Sequence, residues 1–263
     1  MCVISAKTKE QNVALPLYRY PEREIQADVF APKQRILNLD PKLYTAICAA
    51  AEIDPADQAG PDDDFRAATG DARPSEVKVF DYIYGVLHSP DYRRTYAEFL
   101  KIDFPRIPFP SSPDMFRHVS DKGERLRRLH LMEPAAVGDT PYPFTGEGDD
   151  AVAAGYPRWE RSSSPAVPGA TPLHHPAAPD GSPPRSGEEL GRVLINATQG
   201  FDGVPAVAWG FPIGGYLPAQ KWLKDRRGRA LSYDDIGHYQ KIVKILVETD
   251  RVMREIELPL DGS

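Results

Sequence analysis

Three helix starts constrain the fold of this chain more than any other feature. Each places a capping side chain directly before a proline: Asp40 before Pro41, Ser89 before Pro90, and Ser112 before Pro113. The oxygen of such a side chain accepts a backbone N–H at the start of a helix. Proline suits the first helical position because it lacks the N–H that would be left unsatisfied there. The sequence therefore predicts that helices begin at these three positions.

The middle of the chain is predicted to be helical. In "SEVKVFDYIYGVLHS", residues 75–89, apolar side chains recur at helical spacing, notably at Val79, Ile83 and Val86. The segment "KIDFPRIPFP", between the second and third capped helices, contains three prolines, which exclude a helix. The sequence thus predicts helices joined by an extended connector.

Strand segments are predicted on both sides of these helices. "CVIS" and "VALPLYRY" lie within residues 1–20, and "GRVLINATQGF" begins at Gly191. A long helix is predicted from about Ser232, because Ser232 and Asp235 form a capping pattern ahead of an apolar stripe. The predicted fold class is α+β, with short β segments at the N-terminus and around 190–216, a helical middle and a long C-terminal helix.

Composition changes sharply within the second half of the chain. Residues 138–187 are rich in Pro, Ser, Gly and Ala, and lack the apolar content that offsets the entropy of ordering. We interpret them as a flexible insert in one domain formed by residues 1–137 and 188–263. Cys2 and Cys48 have neither disulfide nor metal spacing, and no apolar run reaches membrane-spanning length. These features predict a cytoplasmic protein.

The sequence contains none of the common catalytic motifs for hydrolases, zinc proteases or phosphate-binding loops. His88, Ser89 and Asp91 are interpreted as one helix end followed by the next helix start, rather than as a catalytic group. The acidic run from Asp62 to Asp64 is interpreted as a solvated loop. No catalytic residue and no metal site are therefore predicted.

Basic residues cluster although the formal net charge of the chain is -6. Local potential, rather than net charge, steers a polyanion, and Lys and Arg side chains neutralise phosphate. The candidate DNA-binding residues are Lys7, Lys9, Arg93, Arg94, Lys101, Arg106, Lys221, Lys224, Arg226, Arg227 and Arg229. The alternative for the densest group, from 221 to 229, is a merely solvated surface turn.

This densest group has a predicted local structure. Pro218 is expected to start a short helix in which Trp222 and Leu223 face inward while the lysines remain outside. The turn that follows contains Gly228, for which a positive φ is expected. A bulky ring would then anchor a basic turn at the start of the C-terminal helix.

Long, collinear stretches resemble a known family. "VFDYIYGVLHSPDYRRTYAEFLKIDFPRIP", "GERLRRLHLME", "INATQGFDGVPAVAW" and "IGGYLPAQKWLKDRRGRALSYDDIGHYQKIV" are similar to the C-terminal specificity domain of type ISP restriction–modification enzymes and related large adenine-specific DNA methyltransferases. The opening "ISAKTKEQNVALPLYRYP" resembles a strand segment of the same family. The resemblance implies a target-recognition domain that binds double-stranded DNA.

The resemblance also implies how the chain would function. It implies a methyltransferase domain or subunit as partner, either N-terminal to this chain or separately encoded. It implies no catalysis and no cofactor in this chain, and S-adenosylmethionine only in the methyltransferase part. The alternative is a truncated, non-enzymatic interaction domain that has lost DNA binding.

Overall fold

The computed structural model describes residues 16–20, 35–60, 63–64, 68–162 and 189–260. These residues divide into two compact units. The first unit contains the described residues up to Leu131 and those from Arg251 onward, and the second runs from Met132 to Asp250. The sequence, by contrast, predicts one domain around an insert.

Helices dominate the first unit, as the capping pattern predicts. Asp40 accepts the N–H groups of Lys42 and Leu43, and Ser112 accepts that of Met115, so these predicted helix starts are confirmed. Ser89 likewise accepts the N–H of Tyr92. The elements are β1 (Tyr18–Arg19) and β2 (Ile36–Leu37), which pair antiparallel, and α1 (Pro41–Ala51), α2 (Ser75–His88), α3 (Pro90–Thr95) and α4 (Pro113–His130).

Helices α2 and α4 pack closely at two glycines, Gly85 and Gly123. A Cβ atom on Gly123 would lie 1.8 Å from the carbonyl oxygen of Asp81, so only glycine permits this approach. The buried Asp81 carboxylate accepts hydrogen bonds from Arg73 at 2.8 Å and from Arg127 at 2.6 Å. Two guanidinium groups thus compensate a carboxylate that would be costly to bury alone.

The second unit combines a four-stranded antiparallel sheet with helices. The strand order is β3-β6-β5-β4. Its elements are β3 (Phe144–Thr145), β4 (Arg158–Arg161), β5 (Leu190–Leu194), β6 (Gly200–Pro205), α5 (Pro134–Val137), α6 (Ala206–Gly210), α7 (Pro218–Lys224) and α8 (Tyr233–Arg254), of which α8 belongs to this unit up to Asp250. The fully buried core includes Val193, Phe201, Leu223, Tyr239 and Val243.

The predicted flexible insert is wrong for residues 138–162, which are ordered parts of the second unit. Val152 is fully buried, and the Trp159 indole N–H donates to the Val204 carbonyl at 3.0 Å. Composition is misleading here because a few large apolar side chains pack into a core that distant segments provide. The remainder of the predicted insert, 163–187, lies outside the described residues.

Two further boundaries differ from the prediction. The second capped helix, which the sequence predicts over "SPDYRRTYAEFL", ends at Thr95, and a 3-10 turn, Phe99–Lys101, leads into the connector. Strand structure around 190–216 ends at Pro205, after which α6 forms. The α+β class and the long C-terminal helix are confirmed, while the predicted strand "CVIS" lies outside the described residues. Among the helices of the described chain, none is long and apolar enough to cross a bilayer.

Candidate nucleic-acid interface

Helix α7 presents its last residues beside the core of the second unit. Leu223 is fully buried, as predicted, whereas Trp222 is only half-buried. One reason is that the Trp222 ring lies at the edge of the core, packed against Tyr239 and His238 with centroid separations of 5.5 and 5.6 Å. Its remaining face is covered by Arg226. The tryptophan therefore forms a platform rather than a core side chain.

The turn after α7 is fixed by backbone hydrogen bonds to a distant segment. Gly228 has φ +75°, as predicted, and its N–H donates to the Val152 carbonyl at 2.8 Å. The Val152 N–H donates back to Arg229 at 3.2 Å, and the Leu231 N–H donates to Asp150 at 2.9 Å. We call residues 225–231 the basic turn. Its backbone is held in place, Leu231 is buried, and the side chains of Arg227 and Arg229 face solvent.

Arg226 is held inside this arrangement. Its guanidinium carbon lies 3.4 Å from the centroid of the Trp222 ring, a cation–π contact. One terminal nitrogen donates to the Trp222 carbonyl at 3.0 Å, and Nε donates to Asp235 at 3.3 Å. Three partners on one half-buried guanidinium indicate that Arg226 shapes the turn instead of reaching for a ligand.

Asp235 links the basic turn to the start of α8. Its carboxylate accepts the Ser232 N–H, while its own N–H donates to the Ser232 hydroxyl, both at 3.1 Å, which is the predicted capping box. Arg229 donates to both carboxylate oxygens at 2.9 Å. Desolvation opposes ionisation of Asp235, but the bonds from Ser232 and Arg226 and the charge of Arg229 together lower its pKa.

The remaining basic side chains point outward. Lys224 contacts only the amide oxygen of Gln220, at 3.1 Å, among the described residues. Arg227 uses Nε to bond the Tyr156 carbonyl, at 2.5 Å, and its two terminal nitrogens have no partner within the described chain. Arg229 is 56% exposed. Five basic side chains against three carboxylates between residues 221 and 235 leave a local charge of +2.

The basic group of the first unit is more strongly compensated. Arg94 pairs with Asp91 at 2.5 Å, Lys101 with Glu98 at 2.6 Å, and Arg106 with Asp103 at 3.9 Å. Arg93 is exposed, and it has no ion pair in the part of the chain that the structure describes. The four predicted cations of this group therefore carry little uncompensated charge.

The connector, residues 101–110, is hydrogen-bonded to buried tyrosines on one side and exposes apolar side chains to solvent. Buried Tyr82 donates its hydroxyl to the Pro108 carbonyl at 2.9 Å, and buried Tyr92 donates to the Arg106 carbonyl at 2.8 Å. Its exposed large apolar side chains are Ile102, Phe104 and Phe109, and exposed Tyr96 follows the end of α3. This mixture of apolar area and paired charge is typical of surfaces that contact protein.

The predicted site residues therefore fall into three sets. The 221–229 group lies in the second unit and the 93–106 group in the first unit. Lys7 and Lys9 lie outside the described residues. Sequence reasoning did not foresee that Asp235 and Trp222 hold Arg226, because the ion pair depends on how the basic turn folds back on α8.

A partly buried histidine pair, His88 and His130, lies in the first unit. His88 Nδ1 donates to the Tyr84 carbonyl at 2.7 Å, and the Tyr84 hydroxyl and His130 Nδ1 share a hydrogen bond at 2.6 Å. The hydroxyl of Ser89 is occupied by the helix cap. These contacts support the structural interpretation of this segment. Within the described residues no three His, Cys, Asp or Glu side chains are grouped to hold a metal ion.

Comparisons with known proteins identify a matching family model and solved structures with a shared fold. The sequence model described as "Type ISP C-terminal specificity domain" matches residues 1–255. No curated protein matches this chain. A solved cryo-EM complex of DrdV with DNA is similar with a TM-score of 0.60 and 19% identity, over 92% of this chain and 21% of that chain.

A second solved structure is similar over the same share of this chain. It is the ATP-dependent type ISP restriction–modification enzyme LlaBIII bound to DNA, with a TM-score of 0.50 and 12% identity, over 92% of this chain and 13% of that chain. The chain thus spans about a fifth or less of the length of these structures. At such identities the likeness shows a shared fold.

Proposed function

The chain belongs to the type ISP C-terminal specificity domain family, and on that premise we propose that it is a DNA target-recognition module of an adenine-specific restriction–modification methyltransferase. The observation that carries the proposal is the basic turn. Its backbone is fixed by Val152 and Asp150, while Lys224, Arg227 and Arg229 extend into solvent. A fixed turn loses little conformational entropy when a phosphate binds.

The outward cations have the chemistry of phosphate contacts. Arg227 offers two terminal nitrogens, and Arg229 can exchange its exposed ion pair with Asp235 for a phosphate because surface ion pairs contribute little stability. Phosphate contacts set position and register on a duplex, whereas contacts with base edges give specificity. The basic turn thus supplies affinity that is independent of sequence.

The partner in this proposal is a methyltransferase domain or subunit. The structural neighbours are DNA complexes several times longer than this chain. In the proposal, S-adenosylmethionine binds to that methyltransferase part, and this chain alone transfers no methyl group. Incubation with duplex DNA and labelled cofactor is expected to leave DNA unlabelled, and label above a no-protein control would contradict this part of the proposal.

A second candidate function is supported by the connector of the first unit. Exposed Ile102, Phe104 and Phe109 beside self-paired ions favour a protein-binding surface. An interaction domain that has lost DNA binding would retain this surface. The DNA-binding measurement described next separates the two candidates, because only the leading proposal requires DNA affinity.

The decisive measurement is binding to fluorescent duplex DNA between 50 and 200 mM salt, which are roughly the conditions that separate phosphate-driven binding from other modes. We expect affinity to fall as salt rises. The double variant Arg227→Gln/Arg229→Gln is expected to reduce the slope of log K against log salt by about two, because each neutralised phosphate contributes about one to that slope.

A matched double variant provides the control. Lys42→Gln/Arg117→Gln removes two exposed cations of the first unit that lie outside the basic groups. It is expected to leave the slope unchanged. Absence of binding by the unmodified chain at the lowest salt would overturn the proposed function, and equal slopes for the two double variants would remove the basic turn from the interface.

A further inference from the structure

A tight turn closed by an isolated antiparallel bridge precedes α7 in the second unit, and we call residues 213–216 the tip. Ile213 and Tyr216 pair across a two-residue turn, with N–H to carbonyl distances of 3.0 Å from Ile213 to Tyr216 and 3.3 Å in reverse. The turn residues are Gly214, with φ +59°, and Gly215. Adjacent glycines between two apolar residues are a sequence signal for such a turn.

The tip exposes two apolar side chains on one side. Residues directly opposed in an antiparallel pair project to the same face. Ile213 is 43% exposed and Tyr216 is 39% exposed. Nothing lies within 4 Å of a Cβ built on Gly214, so the tip is open to solvent within the described structure. The result is a small apolar pair on a firm backbone.

The tip is connected to the basic turn through α7. Gln220, in the middle of α7, donates to the Trp209 carbonyl ahead of the tip at 3.2 Å and accepts from Lys224 at 3.1 Å. A seven-residue helix rises about 10 Å, so the tip and the basic turn lie at opposite ends of a short spacer. That length is close to the roughly 12 Å width and 8.5 Å depth of the DNA major groove.

From this arrangement we propose that the Ile213–Tyr216 tip enters a groove of duplex DNA and makes apolar contact with base edges while the basic turn holds the adjacent phosphates. The inference rests on the proposed function and adds a second, uncharged part to that interface. Apolar side chains contact thymine methyl groups or wedge between base steps in DNA complexes.

Charge favours DNA over a protein as the partner of this tip. The tip adjoins a segment with local charge +2 and outward arginines. The apolar connector of the first unit, by contrast, lies among cations paired with their own carboxylates. Lys224 and Arg227 have no ion pair among the described residues, so an apolar contact at the tip lies near positive charge that complements the phosphates of DNA.

The two parts of the interface differ in their response to salt, which provides the test. Apolar contact releases no counterions, so its removal lowers affinity without changing the salt slope. We expect Ile213→Ser/Tyr216→Ser to weaken binding to a duplex about tenfold with an unchanged slope. Arg227→Gln/Arg229→Gln should instead change the slope. The conservative variant Ile213→Val/Tyr216→Phe is expected to bind like the unmodified chain.

Controls separate failure of this inference from failure of the proposed function. Leu43→Ser removes an apolar side chain from α1 that is more exposed than either tip residue, and it should leave DNA affinity unchanged. If the unmodified chain binds DNA but the serine double variant binds equally well, the inference is overturned and the proposed function remains. If the unmodified chain does not bind, the proposed function fails first. A fall in salt slope for the tip variant would also overturn the inference.

Discussion

The guanidinium of Arg226 stacks on the ring of Trp222 and simultaneously bonds Asp235, so one side chain joins α7 to the first turn of α8. The neighbouring arginines lack this stack. Position in a basic run therefore does not predict role: Arg226 holds the turn, and Arg227 and Arg229 face solvent.

Substitution of Arg226 should lower the free energy of unfolding more than substitution of Arg227, although each removes one positive charge. Arg226→Gln removes the cation–π contact and a partly buried ion pair, and is expected to cost about 1–2 kcal/mol. Arg227→Gln should cost less than about 0.5 kcal/mol. Urea unfolding of both variants measures the difference. Equal stabilities would show that the stack does not support the turn.

The glycine contact between α2 and α4 should tolerate no side chain. Gly123→Ala would place its Cβ 1.8 Å from the Asp81 carbonyl oxygen, which forces the helices apart. We expect the free energy of unfolding to fall by about 3 kcal/mol or more. Gly237→Ala, in α8 with open space around it, is the matched control and should be neutral or stabilising by up to about 1 kcal/mol. Similar losses of stability for both would contradict the close packing.

The hydroxyl of Tyr239 is buried without a hydrogen-bond partner among the described residues. Removing an unsatisfied buried hydroxyl recovers its desolvation cost, so Tyr239→Phe should be neutral or stabilising by about 1 kcal/mol. Tyr92→Phe is the comparison, since that hydroxyl bonds the Arg106 carbonyl and its removal should cost about 1 kcal/mol. Thermal unfolding of both variants shows whether each substitution raises or lowers Tm. A lower Tm for Tyr239→Phe would indicate that the Tyr239 hydroxyl is hydrogen-bonded.

Acid should destabilise the first unit through its histidine pair. Burial lowers the pKa of His130 to about 4, with a further contribution from His88, whose own pKa burial also lowers. The unfolded chain binds a proton near pH 6.5 while the folded chain does not. Stability is therefore present above pH 6.5 and falls as pH decreases toward 4, by up to about 1.4 kcal/mol per pH unit for each histidine.

The measurement is the free energy of unfolding at several pH values, for the unmodified chain and for His130→Gln. The variant should lose stability less steeply between pH 6.5 and 4. An identical pH dependence in both proteins would mean that His130 is already solvated or protonated in the folded state.

Two deletions should differ although both remove Pro-rich sequence. Deleting 148–187 removes the buried Val152 and the Asp150 carbonyl that hold the basic turn, and should lower Tm by about 10 °C or more. Deleting only 163–187, with a Gly/Ser bridge, should leave Tm within a few degrees, because the composition of that segment cannot build a core. A large fall in Tm for the shorter deletion would contradict the compositional argument.

Local signals predicted local structure well. The side chains of Asp40, Ser89 and Ser112 marked helix starts because a cap and its proline act within four residues. The order of 138–162 was missed, since Val152 is buried by residues far along the chain. For the same reason the basic run predicted cations, but not which of them Asp235 would hold. The Gly214–Gly215 signal was available and would have revealed the tip.

Strands β4 and β5 are antiparallel neighbours, and Arg161 lies directly opposite Gly191. The segment that joins β4 to β5 thus begins and ends next to one cross-strand residue pair. Loop-closure entropy grows only with the logarithm of length, so each doubling of this connection costs about 0.6 kcal/mol. A change in the number of residues between β4 and β5 is therefore expected to cost little stability while the register of the sheet stays the same.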